Sequence, residues 1–280
     1  MHTIQLPQGP LHYRDQGQGK PIVFVHGLLV SGSLWQSVID RMPEGVRCVA
    51  PDWPLGSHTA PMNDDADLSP EGIAAMVADF LEALDLRDVT LVGNDSGGAI
   101  CQVVMTRHAD RVGRVVLTTC DAFDVFPPKL FAYLSLLVKM PFLVPVVAKL
   151  LAAVPPLRRL KTSYGLVSRM PIDDTLVDAW IAPSANDPKI RRDLVKFIAG
   201  VSPRVTEEAA QRFGDVKVPV LVAWTPEDPS FPMRLADKLV ATLPRATLST
   251  IDRSYVFSAL DRPDRVAELV GSFVWDTPAM

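Results

Sequence analysis

Val92-Gly93-Asn94-Asp95-Ser96-Gly97-Gly98-Ala99 is the stretch on which the fold turns. Before it stands a short apolar run, Val89 to Val92, with the character of a buried strand. After it, Ala99 to Met105 has the character of a buried helix. Small residues flank one polar residue, Asp95. A chain that turns sharply from strand to helix needs them, because the central residue is strained and its neighbours have no room for side chains. This is the layout of a nucleophile elbow, G-x-Nu-x-G, with aspartate in the nucleophile slot. Glycine and asparagine also mark ordinary turns, and aspartate is a common helix N-cap. The rest of the chain must decide between the two.

The strand-helix alternation around the elbow supports a mostly parallel sheet covered on both faces. Leu11 to Arg14, Pro21 to Val25 and Val46 to Val49 read as strands, with Gln16 to Gly19 a turn. Leu34 to Met42 reads as a helix with Ser33 as its cap. Ser69-Pro70-Glu71 opens another, with serine at the cap and proline at the first helical position. The helix on which the elbow opens runs to about His108, and Val115 to Thr118 is the next strand. From Asp124 to Asp215 the alternation stops and Pro-punctuated helical patterns take over. A loop of that length without structure is uncommon, so a helical insertion is expected. The alternation resumes with the strand Val218 to Trp224, a helix at Met233 to Leu243, the strand Ala246 to Ile251 and a last helix from Pro263 to Phe273. The expected organisation is a core of residues 1–123 and 216–280 with a helical cap of residues 124–215. In open sheets of this kind ligands bind beyond the carboxyl ends of the strands. Those ends carry His26, Asp52, Asp95, Asp121 and Asp228.

Composition narrows the function classes. With 280 residues, 48% hydrophobic and 21% charged, the chain can bury a large core. A net charge of −4 argues against nucleic acid as partner, since phosphate binding wants a basic face. Cys48, Cys101 and Cys120 sit in apolar runs without metal-ligand spacing, so buried free thiols in a reducing, cytoplasmic setting are expected, with no metal and no cofactor. The N-terminus lacks a basic region followed by an apolar one. The apolar run Leu134 to Val154 is interrupted by Lys139, Pro141, Pro145 and Lys149, so no membrane insertion is expected.

Taken in order, the His26-Gly27 turn, the Pro51-Asp52 loop, the elbow, the insertion, the Val222-to-Pro232 segment and the closing Asp261-Arg262-Pro263 resemble an α/β-hydrolase-fold protein over nearly the whole chain. Aspartate in the elbow resembles the haloalkane dehalogenase and epoxide hydrolase branch. There the carboxylate attacks carbon to form an ester, and a histidine-activated water cleaves it. The resemblance implies Asp95 as nucleophile, Asp228 as the acid that orients the histidine, and the backbone N–H groups of Leu28 and Ser96 as oxyanion hole. It also implies a histidine five residues before Asp261, but that position holds Val256. The five histidines are His2, His12, His26, His58 and His108, and none follows position 108. Halide-cradling residues of the dehalogenases are replaced by Ser96 and Leu28.

Substitutes for the missing histidine can be named. His58 lies in a loop on the catalytic side, and a solvated loop histidine is its plainer reading. His26 shapes the hole and the pocket. Asp121 ends the strand after the elbow helix and can share a proton with Asp95, since two close carboxylates do not both ionise easily. Tyr133 and Tyr164 in the insertion, and Tyr255 beside Val256, are further candidate acids. The apolar insertion, with Phe131, Leu134, Leu136, Leu137, Phe142 and Val146, suggests a pocket lid, or a face packed on the core or on a second subunit in a homodimer. Three functions stand: a hydrolase of an apolar small molecule, a non-hydrolytic lyase, isomerase or cyclase using Asp95, or a ligand binder without catalysis.

Overall fold

The computed structural model describes residues 1–277; the side chains of Ser135, Leu137 and Pro141 lie outside the described residues, so the expectation for Leu137 does too. Eight strands form one sheet in the order β1-β2-β4-β3-β5-β6-β7-β8. They are β1 (His2–Leu6), β2 (Gly9–Gly17), β3 (Lys20–Val25), β4 (Val46–Pro51), β5 (Val89–Asp95), β6 (Val112–Cys120), β7 (Val220–Trp224) and β8 (Ala246–Thr250). From β4 to β8 all pairs are parallel, and β1 and β2 close one edge antiparallel. The central strands are buried along their length, as apolar runs without alternation require.

The helices are α1 (Gln36–Ile39), α2 (Pro70–Ala83), α3 (Ser96–Arg107), α4 (Leu134–Lys139), α5 (Val144–Ala153), α6 (Pro155–Arg158), α7 (Asp174–Asn186), α8 (Pro188–Gly200), α9 (Pro203–Ala210), α10 (Met233–Thr242), α11 (Ser258–Asp261) and α12 (Pro263–Asp276). The Ser69 hydroxyl accepts from the Gly72 N–H at the start of α2, with Pro70 in the first turn. Between β6 and β7 the chain runs through α4 to α9, with no strand among the described residues. Helix α9 lies against α3, while α7 and α8 pack on each other and on α5 and α4 respectively.

Two local expectations are corrected, and one strand that the sequence reading did not name is added. β1 pairs with β2 although the first residues carry no strong strand signal; its partly exposed, edge position explains the weak pattern. β2 runs on to Gly17, into the expected turn. The expected helix from Leu34 to Met42 is a 3-10 turn over Gly32–Trp35 followed by the short α1, capped by Ser31 rather than Ser33.

Candidate active site

The elbow is built by close approach. Asp95 has φ 54° and ψ −131°, a conformation that costs a non-glycine residue roughly 1–3 kcal/mol and persists only where the surroundings enforce it. Here they do. A Cβ on Gly97 would lie 2.2 Å from the Val25 carbonyl oxygen, and one on Gly27 would lie 2.1 Å from Asp95 Oδ2. Only glycine lets the β3 turn and the elbow touch. The Asp95 carboxyl is thereby held against the β3 turn, where the Leu28 N–H donates to its Oδ2 at 3.3 Å. The Ser96 N–H also favours its charged form.

Asp95 leads into a cleft enclosing about 860 Å³ of non-atom space, its mouth included. Leu28, Ser96, Asp121, Tyr133, Tyr164 and Val256 line it with Asp95, and Phe126, Phe131, Leu134, Leu151, Val167, Ile198, Phe231 and Phe257 make most of its wall apolar. No histidine, lysine or arginine lines it among the described residues. Burial pushes Asp95 up to about 7, against the lowering effect of the Ser96 and Leu28 N–H groups; the charge of Asp228 raises it further. Asp121 is pushed well above the usual carboxylate range by burial and then by the charge of Asp95, with the Ser96 side chain lowering it in part. Asp121 Oδ1 has no hydrogen-bond partner among the described residues, whereas Asp95 has N–H donors. Asp121 therefore holds its proton more firmly than Asp95, which ionises first as pH rises through about 7.

Asp228 does not line the cleft. Its Oδ1 accepts from the N–H groups of Ser230 and Phe231, each at 2.7 Å, so it holds its own turn. Its Oδ2 has no hydrogen-bond partner among the described residues. Burial raises its pKa to about 6 against the lowering backbone groups of Phe231, Ser230 and Val256. Val256, which the resemblance sets in the histidine position, is buried and borders the cleft.

No histidine lines the cleft among the described residues. His58 Nε2 lies 3.2 Å from Asp193 Oδ2 on α8, and neither residue lines the cleft. His58 ties the loop after β4 to α8; it is buried, not a solvated loop residue. His26, expected in the pocket, is buried and does not line the cleft. Its Nε2 accepts from the Trp53 N–H at 2.9 Å, which leaves the proton on Nδ1, 2.9 Å from the Gly27 carbonyl oxygen. Burial lowers its pKa to about 4, so it stays neutral while it shapes the turn that carries the Leu28 N–H. The tyrosines are engaged as well. Tyr133 donates to the Thr162 carbonyl at 2.6 Å and Tyr164 to the Leu29 carbonyl at 2.7 Å, and burial raises both. Tyr255 does not line the cleft.

Two positioning residues escaped the sequence reading. Asn94 Nδ2 donates to Thr118 Oγ1, to the Thr119 carbonyl and, at 2.7 Å, to the Val256 carbonyl, so it fastens the Val256 loop to β6. Its place inside the elbow motif was the available signal. Asp261 accepts from the Tyr255 and Arg169 N–H groups, each at 2.9 Å, and from the Ser168 hydroxyl at 2.7 Å. It joins the insertion to the loop carrying Val256; the closing acid-x-Pro pattern marked it without indicating this role.

Residues 22–269 match the model of the alpha/beta hydrolase family. The cis-3-alkyl-4-alkyloxetan-2-one decarboxylase of Shewanella oneidensis is 23% identical over all of this chain and 89% of its own length. Haloalkane dehalogenase 2 of Mycobacterium bovis is 25% identical over 94% of this chain and 91% of its own. Among solved structures, an alpha/beta hydrolase fold protein from Burkholderia ambifaria superposes with a TM-score of 0.81 at 19% identity, over 98% of this chain and 97% of that one. With the sharp strand-to-helix turn at Asp95 and the mostly parallel eight-stranded sheet in place, the chain belongs to the alpha/beta hydrolase family.

Proposed function

We propose that the chain catalyses a non-hydrolytic, lyase-type reaction on an apolar small molecule, with Asp95 as nucleophile and Asp121 as a protonated hydrogen-bond donor. One observation carries the reading: two carboxyls, and no basic side chain among the described residues, face an otherwise apolar cleft. Such a cleft offers an anionic or phosphorylated molecule no counter-charge, so the substrate is neutral and apolar. An ester formed on Asp95 also finds no base to activate water, a contribution typically worth about 10²–10⁴ in rate. A reaction that needs neither water nor an imidazole suits the site better than hydrolysis does.

The relative from Shewanella oneidensis carries such a reaction in its name, decarboxylation of a four-membered lactone. We assign that substrate class to this chain. The Asp95 carboxylate attacks the saturated ring carbon that bears the lactone oxygen. A new C–O bond to Asp95 forms, the ring C–O bond breaks, and its electron pair leaves on the substrate carboxylate. Asp121 donates a hydrogen bond to that carboxylate. The carboxylate then departs as carbon dioxide, its C–C bonding pair becomes the alkene, and the C–O bond to Asp95 breaks to restore the carboxylate. No proton and no water enters the balance. The attack needs ionised Asp95, so the rate rises with pH through about 7.

The test is turnover of a short-chain cis-3,4-dialkyl-oxetan-2-one in water enriched in oxygen-18. Alkene should appear, without a hydroxy acid, and Asp95→Ala should abolish it. A hydroxy acid carrying oxygen-18, a stable mass increase on Asp95 without alkene, or alkene formation that survives Asp95→Ala would each overturn the mechanism.

A further inference from the structure

We infer that the outer face of the helical insertion is a docking surface for an anionic lipid bilayer. From residue 125 to 172 the chain carries seven cationic residues (Lys129, Lys139, Lys149, Arg158, Arg159, Lys161 and Arg169) and no aspartate or glutamate, while the rest of the chain carries a net charge of −11. The same segment holds much of the exposed apolar surface. Leu136, Phe142, Val146, Leu150 and Leu160 are between 48% and 68% exposed.

Helix α5 makes the arrangement explicit. Val144 and Ala148 turn inward, as an amphipathic helix requires. Its outward stripe is Val146, Lys149, Leu150 and Ala153, at spacings of three and four, where polar side chains would normally stand. A helix apolar on both faces that is nevertheless exposed has an unpartnered side. Lysines amid that apolar surface match a bilayer interface, where apolar side chains enter the acyl boundary and ammonium groups meet lipid phosphates. Lys129, Lys139, Lys149 and Lys161 are exposed and enter no ion pair among the described residues, whereas Arg158, Arg159 and Arg169 have carboxylate partners. The contact is superficial: no helix among the described residues is long and apolar enough to cross a membrane.

The inner side of the same helices gives the contact a use. Leu134 and Leu151 line the catalytic cleft, and a second apolar cavity beneath α5 shares them, together with Tyr133 and Tyr164, with that cleft. An apolar substrate held in the acyl layer would reach Asp95 through apolar walls.

Binding is measured apart from turnover, so its failure does not bear on the reaction. The protein is sedimented with vesicles of phosphatidylcholine alone and of phosphatidylcholine with phosphatidylglycerol, and its mass in solution is determined by analytical ultracentrifugation. The expected result is partition onto the phosphatidylglycerol vesicles only, weakened by 0.5 M salt (roughly a 4 Å Debye length). The Lys139→Glu/Lys149→Glu variant should lose at least about 25-fold in partition. Phe142→Ser/Leu150→Ser should bind less at unchanged melting temperature. The proposal is overturned if the wild-type protein stays in the supernatant with both vesicles, or binds both equally. It is also overturned if the protein is a dimer that Phe142→Ser/Leu150→Ser dissociates, since a second copy would then own the face.

Discussion

Replacing Asp95 by asparagine should make the protein more stable at alkaline pH while removing its chemistry. A carboxyl held at about 7 in the folded state, against 3.8 ordinarily, binds a proton that the unfolded chain has already released. Its stabilising effect is complete below about pH 4, declines as pH rises between the two values, and is gone above about 7. The full cost of the difference is about 4 kcal/mol. The Asp95 residue keeps partial exposure to the cleft, where water screens it, so about 2–4 kcal/mol is the expected range. For 280 residues the unfolding entropy near 60 °C is about 0.6 kcal/mol per degree, which converts the range to roughly 3–7 °C. Thermal melts of the wild type and of Asp95→Asn, run side by side from about pH 3 to about pH 9 so that the scan spans both values, measure it. The variant should gain at least that margin on the wild type as pH rises, because the substitution removes the Asp95 titration and Asp121, relieved of the Asp95 charge, shifts in the same direction. Parallel curves would refute the argument and mean that Asp95 is not held protonated by burial.

Val256→His should put an imidazole in reach of the unpartnered Asp228 Oδ2 and create a base, so the lactone should yield some hydroxy acid carrying oxygen-18 from water; a product mixture unchanged from wild type would show that the position does not face the ester. The larger ring in a filled site should cost about 1–3 kcal/mol, read as a lower melting temperature. His58→Ala should leave kcat within a few-fold and lower stability by about 1–3 kcal/mol, since Asp193 loses a buried partner but keeps Arg192 and the Met62 N–H. A kcat loss of about 10² or more with an unchanged melting temperature would restore His58 to the chemistry.

Much of the core was legible in the sequence because its signals are local. Val89 to Val92 is apolar without alternation, the glycines around Asp95 permit only a tight turn, and Ser69-Pro70 is a complete helix start. The antiparallel edge was less legible, since β1 gains its order from pairing with β2 rather than from its own burial. Local pattern also could not rank the candidate proton carriers. Asp121, His58 and the tyrosines are equivalent on paper, and their differences arise from partners distant in sequence: Asp193 for His58, Thr162 for Tyr133 and Leu29 for Tyr164.

The sequence by itself determined the elbow, the order of strands and helices along the chain, and the absence of any histidine after position 108, because these depend on residue type and near neighbours. The tertiary structure alone decided which carboxyls share the cleft. Asp95 and Asp121 meet because β5 and β6 are adjacent and end at the same level, with Asp95 opposite Cys120. Asp228 is directed into its own turn, and His58 is drawn away to α8. A side chain's proton depends on its desolvation and on the charges around it, and both are set by chain segments that the linear sequence keeps far apart.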